Sequence, residues 1–253
     1  MSAPLRLAPS SFAYLWRECK RCYWLEIYGY PRPRAPFPSI FSKIDSIMKT
    51  QHDGKRTEEL KIEGLAPGTF RFARAKVEFR DTIQGREIVL PGKTDMLVDF
   101  DDGTLGIIDF KTGNNAMRDA DVYWPQLMSY VMALEQSGDK SVSTIGILNL
   151  SPEAGVLGKT SEHVLGVTVI AVNLRDSALS KTESDLWLKC ARTWRPLEID
   201  RQRFAAFLEE VVGAMNGPLP EAEESCPYCQ YREAYAHQYG VWVVADKLGE
   251  PPF

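Results

Sequence analysis

Two Cys-x-x-Cys pairs stand near opposite ends of this chain, Cys19/Cys22 and Cys226/Cys229, more than 200 residues apart. One such pair offers two thiolates to one ion, so a four-ligand site requires the two pairs to meet. No other feature restricts the fold as strongly, because whatever lies between must return the chain to its start. Disulfides do not suit a cytosolic chain, and a thioredoxin-like motif needs one pair inside a βαβ unit, which neither pair has. Four thiolates suit tetrahedral Zn²⁺ or an iron–sulfur cluster, and the residue types leave both open. Cys190 stands alone in a strand-like stretch and reads as a packing residue.

The chain between the pairs is long enough for one large α/β domain or two small ones, with 253 residues of which 44% are hydrophobic. No apolar run reaches membrane-spanning length, and MSAPLRLAPSS has no signal-peptide core, so the expected compartment is the cytoplasm. The net charge of −4 does not advertise a nucleic-acid binder. Its distribution is less neutral: residues 1 to 60 hold ten Lys and Arg against six Asp and Glu, a local +4. A solvated charged surface accounts for that excess equally well.

The periodicity predicts an aromatic-rich helix over residues 9–30, then a proline-rich connector, PRPRAPFPS. A second helix is expected over Ser39 to Gln51, with Ile40, Ile44, Ile47 and Met48 on one stripe. RFARAKVEFR, REIVLPG and residues 92–113 read as a strand series. DVYWPQLMSYVMALEQ reads as a helix with Pro125 in its first turn. VSTIGILNLS and HVLGVTVIAVNL are expected strands, and a last amphipathic helix covers about 200–216. The order implies an α/β domain with a central mixed β-sheet flanked by helices. Its parts are a helical region at 8–60, a core at 70–216 and a Cys-bearing segment at 217–235. Residues 236–253 read as a tail.

Within that core, GKTDMLVDFDDGTLGIIDFKTG places Asp95, Asp109 and Lys111 in runs that otherwise read as buried strand. A three-residue loop, Asp101-Asp102-Gly103, pairs Phe100 with Thr104 and sets Asp95 opposite Asp109. Lys111, two residues on, shares their face. A two-residue turn would shift the register by one and separate the acids. Two neighbouring carboxylates repel unless a cation lies between them, and Mg²⁺ takes oxygen ligands of this kind. A lysine beside them can orient water or stabilise charge on phosphorus. The set reads as metal-assisted phosphodiester hydrolysis. A cross-strand salt bridge on a solvated face is the plainer alternative, and Leu97, Leu105 and Ile107 on the same face argue against it.

These residues carry a resemblance. Gly92-Lys93-Thr94-Asp95, Asp109-Phe110-Lys111 and the Gln126-x-x-x-Tyr130 spacing are similar to the PD-(D/E)XK nuclease superfamily, closest to its RecB-like branch, which includes CRISPR-adaptation nucleases. The similarity spans residues 9–30, 75–135 and 218–235. It implies a restriction-endonuclease-like core, with Asp95 and Asp109 as ligands of Mg²⁺ or Mn²⁺, Lys111 as catalytic lysine, and Gln126 and Tyr130 as further site residues. The branch has a metal-ligating His in an early helix; here Asp45 takes that slot, with His52 nearer the helix end and Glu78 a second candidate acid. Its iron–sulfur members carry one Cys before the fold and three after. Cys19, Cys226 and Cys229 match three of these, Tyr235 stands at the fourth and Cys22 is an extra thiol, so the resemblance favours a [4Fe-4S] cluster over zinc.

The expectation is thus a metal-dependent DNA nuclease, an exonuclease on single-stranded DNA or DNA ends, acting in repair, recombination or a CRISPR or phage context. Arg17, Lys20 and Arg21 of the N-terminal helix are its expected DNA contacts. A catalytically inactive DNA-binding relative and a zinc-stapled interaction protein are the alternatives.

Overall fold

The computed structural model describes residues 3–33, 39–73, 76–112, 120–138, 140–152, 163–164, 167–173 and 187–239, without the side chains of 152–191 and 239. A short strand, β1 (Leu5–Arg6), leads into α1 (Pro9–Ser11) and a π-helical turn over Phe12–Trp16. The single helix expected over residues 9–30 breaks at Cys19, whose backbone is extended (φ −165°, ψ 107°). There the Cys19 sulfur accepts from the Cys22 amide and caps α2 (Lys20–Ile27). Sulfur capping places both thiols at one helix N-terminus, a demand that helical periodicity does not register.

Helix α3 (Ser39–His52) follows, one residue longer than expected, with Ile44 and Met48 buried and Ile40 exposed. RFARAKVEFR, expected as one strand, serves two: β2 (Gly68–Phe72) and β3 (Val77–Ile83) belong to different sheets. Alternation of apolar residues satisfies either sheet, so the pattern runs through the point where the chain changes partner. The remaining core comprises β4 (Arg86–Gly92), β5 (Met96–Phe100), β6 (Leu105–Thr112), α4 (Trp124–Gln136), β7 (Val142–Pro152), β8 (His163–Val164), β9 (Val167–Asn173), β10 (Trp187–Leu197) and α5 (Arg201–Asn216). Pro125 occupies the first turn of α4, and the Asp200 carboxylate caps α5 by accepting from the Arg203 amide at 2.9 Å. A further helix, α6 (Pro227–Tyr239), carries the second Cys pair and continues past residue 235.

Among the described residues there are two sheets rather than one. A three-stranded sheet runs β1-β4-β3 and a seven-stranded mixed sheet runs β2-β5-β6-β7-β10-β9-β8. The second is antiparallel except between β6 and β7, which are parallel and joined through α4. The α/β class with helices flanking a mixed sheet therefore holds. Odd and even positions of β5 and β6 face different cores. Leu97, Leu105 and Ile107 pack with Leu127 and Val131 of α4, whereas Met96, Val98 and Ile108 pack with Ile44 and Met48 of α3. The hairpin is thus covered on both faces, and any charge inside it needs a partner.

A candidate metal and phosphodiester site

The loop between β5 and β6 has the three-residue form. Phe100 N donates to Thr104 O at 3.0 Å, Gly103 N to Phe100 O at 3.0 Å, and Gly103 adopts φ +87°. The Asp102 carboxylate accepts from the Thr104 amide at 2.9 Å and holds the turn. The ladder then ends at the pair of Met96 with Ile108, with Asp95 and Asp109 the next residues on either side of it. Asp95 Oδ2 accepts from the Phe110 amide at 3.1 Å, tying the acid to β6.

Asp109 is 3% exposed, and the Lys111 ammonium lies 2.5 Å from its Oδ2. From α4, Gln126 Nε2 donates to Asp109 Oδ1 at 3.4 Å and to the Tyr130 hydroxyl at 3.1 Å. The i, i+4 spacing puts both side chains over the acid. Gly92, at the end of β4, makes room for them: a Cβ there would stand 2.3 Å from the Tyr130 ring. From α3, the Lys49 ammonium lies 2.7 Å from Asp45 Oδ2 and 2.8 Å from Asp95 Oδ1. Three acids and two lysines therefore meet through Asp95 and Asp109.

Burial pushes the Asp109 carboxyl up to about 6; Lys111 opposes the shift and Asp95 adds to it. Burial works against the Lys111 ammonium, but Asp109 and Asp95 outweigh it and its pKa is raised. Lys49 is raised in the same way, with Asp45 and Asp95 outweighing burial. The Tyr130 phenol is pushed up to about 12 by burial and then by the charge of Asp109. Asp45, Asp95 and Asp109 are an all-oxygen donor set of the kind a hard divalent ion takes. One observation fits such an ion: all three carboxylates already draw in cations, Lys49 against Asp45 and Asp95 and Lys111 against Asp109 Oδ2.

His52 is elsewhere. Its Nδ1 donates to Met48 O at 2.7 Å, its ring packs against Phe70 and Phe110, and burial lowers its pKa to about 4. Glu78 pairs with Arg6 and Arg80 on the three-stranded sheet. Sequence reasoning missed Lys49, although its i+4 spacing from Asp45 was a usable signal. It also missed Asn149, which pairs in register with Lys111 and is 2% exposed. Tyr123 and Tyr14 had no signal. The Lys111 ammonium lies 4.6 Å from the Tyr123 ring centre, and the Tyr123 hydroxyl bonds that of Tyr14, from the π-helical turn. In the N-terminal region Lys20 pairs with Glu210 at 2.6 Å and covers Trp16. Arg17 is exposed and Arg21 is half-buried.

The four thiols meet. Cys19, Cys22, Cys226 and Cys229 are all buried, and their sulfurs lie within 4.8 Å of one another. Three separations are 3.6 Å (Cys19 to Cys229), 3.7 Å (Cys22 to Cys226) and 3.7 Å (Cys22 to Cys229). Without an ion such crowding is unfavourable for thiolates: burial and then Cys19 and Cys22 raise the Cys229 pKa. The four-Cys group can hold a metal, as the paired spacing implied. Cys190 lies in β10, and its side chain is outside the described residues.

The model of the PD-(D/E)XK nuclease superfamily matches residues 32–234. The search of curated proteins returns no match. Among solved structures, the chain is similar to the crystal structure of SSO0001 at 11% identity and a TM-score of 0.41, over 87% of this chain and 81% of that one.

Proposed function

Because the chain belongs to the PD-(D/E)XK nuclease superfamily, we propose that it is a metal-dependent deoxyribonuclease acting on single-stranded DNA or DNA ends. The observation that carries the reading is the convergence of Asp95, Asp109 and Lys111 on one covered hairpin face, with Asp45 and Lys49 arriving from α3. Asp95 and Asp109, joined by Asp45 when Lys49 gives way, would hold Mg²⁺ or Mn²⁺. Such an ion, when bound, polarises the phosphate and supplies a water of lowered pKa.

The chain's own residues do the rest. Lys111, kept protonated by Asp109 and Asp95, is a charge donor rather than a general base. It orients a water by hydrogen bonding and stabilises negative charge as it grows on the phosphoryl oxygens. Gln126 holds Asp109 through its amide and Tyr130 through the same nitrogen, so the acid keeps one orientation. Tyr130, far above neutrality in pKa, remains a hydroxyl donor. Tyr14 is exposed beside Tyr123 and offers a ring on which a base can stack, and Arg17 and Arg21 supply charge for the backbone.

The test uses the full chain with end-labelled single-stranded DNA, duplex DNA and RNA, each with Mg²⁺, with Mn²⁺ and with chelator. Cleavage of DNA that needs the metal and is lost in a folded Asp109→Asn variant is the expected result. Metal-independent cleavage, or equal cleavage by that variant, overturns the reading; preference for RNA overturns its substrate.

A further inference from the structure

We infer that Cys19, Cys22, Cys226 and Cys229 hold one tetrahedral Zn²⁺ ion and not a four-iron cluster, and that Arg32 is the charge partner of that site. The inference concerns the clasp between the termini and stands apart from the hydrolytic reading. It rests on the sulfur separations and on one guanidinium.

Four thiolates on one ion at a zinc–sulfur bond of about 2.3 Å form a tetrahedron with edges of about 3.8 Å. The observed separations of 3.6, 3.7 and 3.7 Å match that edge. In a four-iron cluster each thiolate binds a different iron, so the sulfurs must stand roughly 6 Å apart. Here all four lie within 4.8 Å of one another. A two-iron cluster fares no better. It would need two close pairs well separated from each other, whereas Cys22 and Cys229 are at 3.7 Å across the Cys19–Cys229 and Cys22–Cys226 pairs. Opening the group to cluster size would also displace the Cys19 sulfur from the N-terminus of α2, where it caps the helix.

Four thiolates and Zn²⁺ leave a net charge of −2 among buried residues, which needs a cation. Arg32 supplies one. Its Nη2 donates to Cys226 Sγ at 3.3 Å and its Nη1 to Glu18 at 2.6 Å. Its guanidinium lies 4.4 Å from the Tyr228 ring centre, and the side chain is 12% exposed. The arginine thereby joins the connector after α2 to the first turn of α6, beside the sulfurs. It is a positioning residue: it touches a ligand atom and not the ion.

The experiment is metal analysis of the full chain purified without oxygen, followed by competition. Apo protein is offered equal amounts of ferrous and ferric iron with sulfide, together with zinc, under anaerobic conditions. About one zinc per chain, a colourless protein and no acid-labile sulfide are expected; a stable brown protein with about four irons per chain overturns the zinc assignment. Cobalt in place of zinc should give the intense visible bands of a tetrahedral thiolate site, and weak octahedral bands would also overturn it. For the arginine, Arg32→Met should speed zinc transfer to a chromogenic chelator by about tenfold to a hundredfold, and Arg32→Lys by less. Equal transfer rates for wild type and Arg32→Met, at matched thermal stability, remove Arg32 from the site and leave the ion assignment standing.

Discussion

Lys111, half-buried, and His52, buried, show how differently two basic groups are handled. Lys111 is paired, with Asp109 at 2.5 Å and the Tyr123 ring beneath it, and it stays charged. Its removal leaves a buried carboxyl, but Asp109 is already pushed up to about 6 and can take a proton, so the fold should survive. Lys111→Ala is therefore expected to keep its circular dichroism while losing about a hundredfold in single-turnover cleavage, or roughly 3 kcal/mol of barrier. His52 is held neutral instead, lowered to about 4 between Phe70 and Phe110. Above pH 6.5 both folded and unfolded chains carry it neutral and its contribution is complete. As pH falls from 6.5 towards 4 only the unfolded chain takes up the proton, so stability drops by on the order of 3 kcal/mol. Asp109, pushed up to about 6, contributes with the opposite sign over most of that window. The His52 loss is therefore read as the stability difference between wild type and His52→Phe in urea, which should shift against the wild type as pH falls from 6.5 to 4.

At the level of elements, β4, α4 and α3 determine what the β5–β6 hairpin can do. Gly92 touches the Tyr130 ring so closely that any side chain there must push α4 or the ring away. Gly92→Ala is expected to cost about 1–3 kcal/mol in denaturant stability and to reduce cleavage through a displaced Gln126; unchanged activity with lowered stability would disconnect the helix pair from the site. The helix motif itself was readable from spacing, because Gln126 and Tyr130 had to share a face. That they face Asp109 was not readable, since the parallel β6–β7 crossover that lays α4 over the hairpin depends on which strands pair. The division of RFARAKVEFR between two sheets was hidden for the same reason. Local alternation records burial and not partnership.

Across the whole molecule, the clasp joins Cys19 and Cys22 to α6 and keeps the π-helical turn with Tyr14 against Tyr123. Cross-linking residues so far apart restrains most of the chain, and a buried thiolate site stabilises the fold only while its ion is bound. Cys226→Ser is expected to lose the ion and lower the melting temperature by several degrees, about 2 °C for each kcal/mol in a chain of this size. Hydrogen exchange should rise in residues 9–28 above all, because those contacts lie on the released side of the clasp. No helix among the described residues is long and apolar enough to cross a membrane. What the residue string determined by itself was whatever depends on short separations. The Gly103 loop and its register, the Ile44 and Met48 part of the α3 stripe, the span of α5 and the meeting of two Cys pairs follow from turn chemistry, helical period and ligand number. Tertiary structure alone decided the partners of each charge. Lys49 bridges Asp45 and Asp95, Lys20 is taken by Glu210, His52 turns into the opposite core, and Arg32 reaches a thiolate. Pairing energy depends on distance in space and on desolvation by neighbours from other elements, and neither quantity is written in sequence separation.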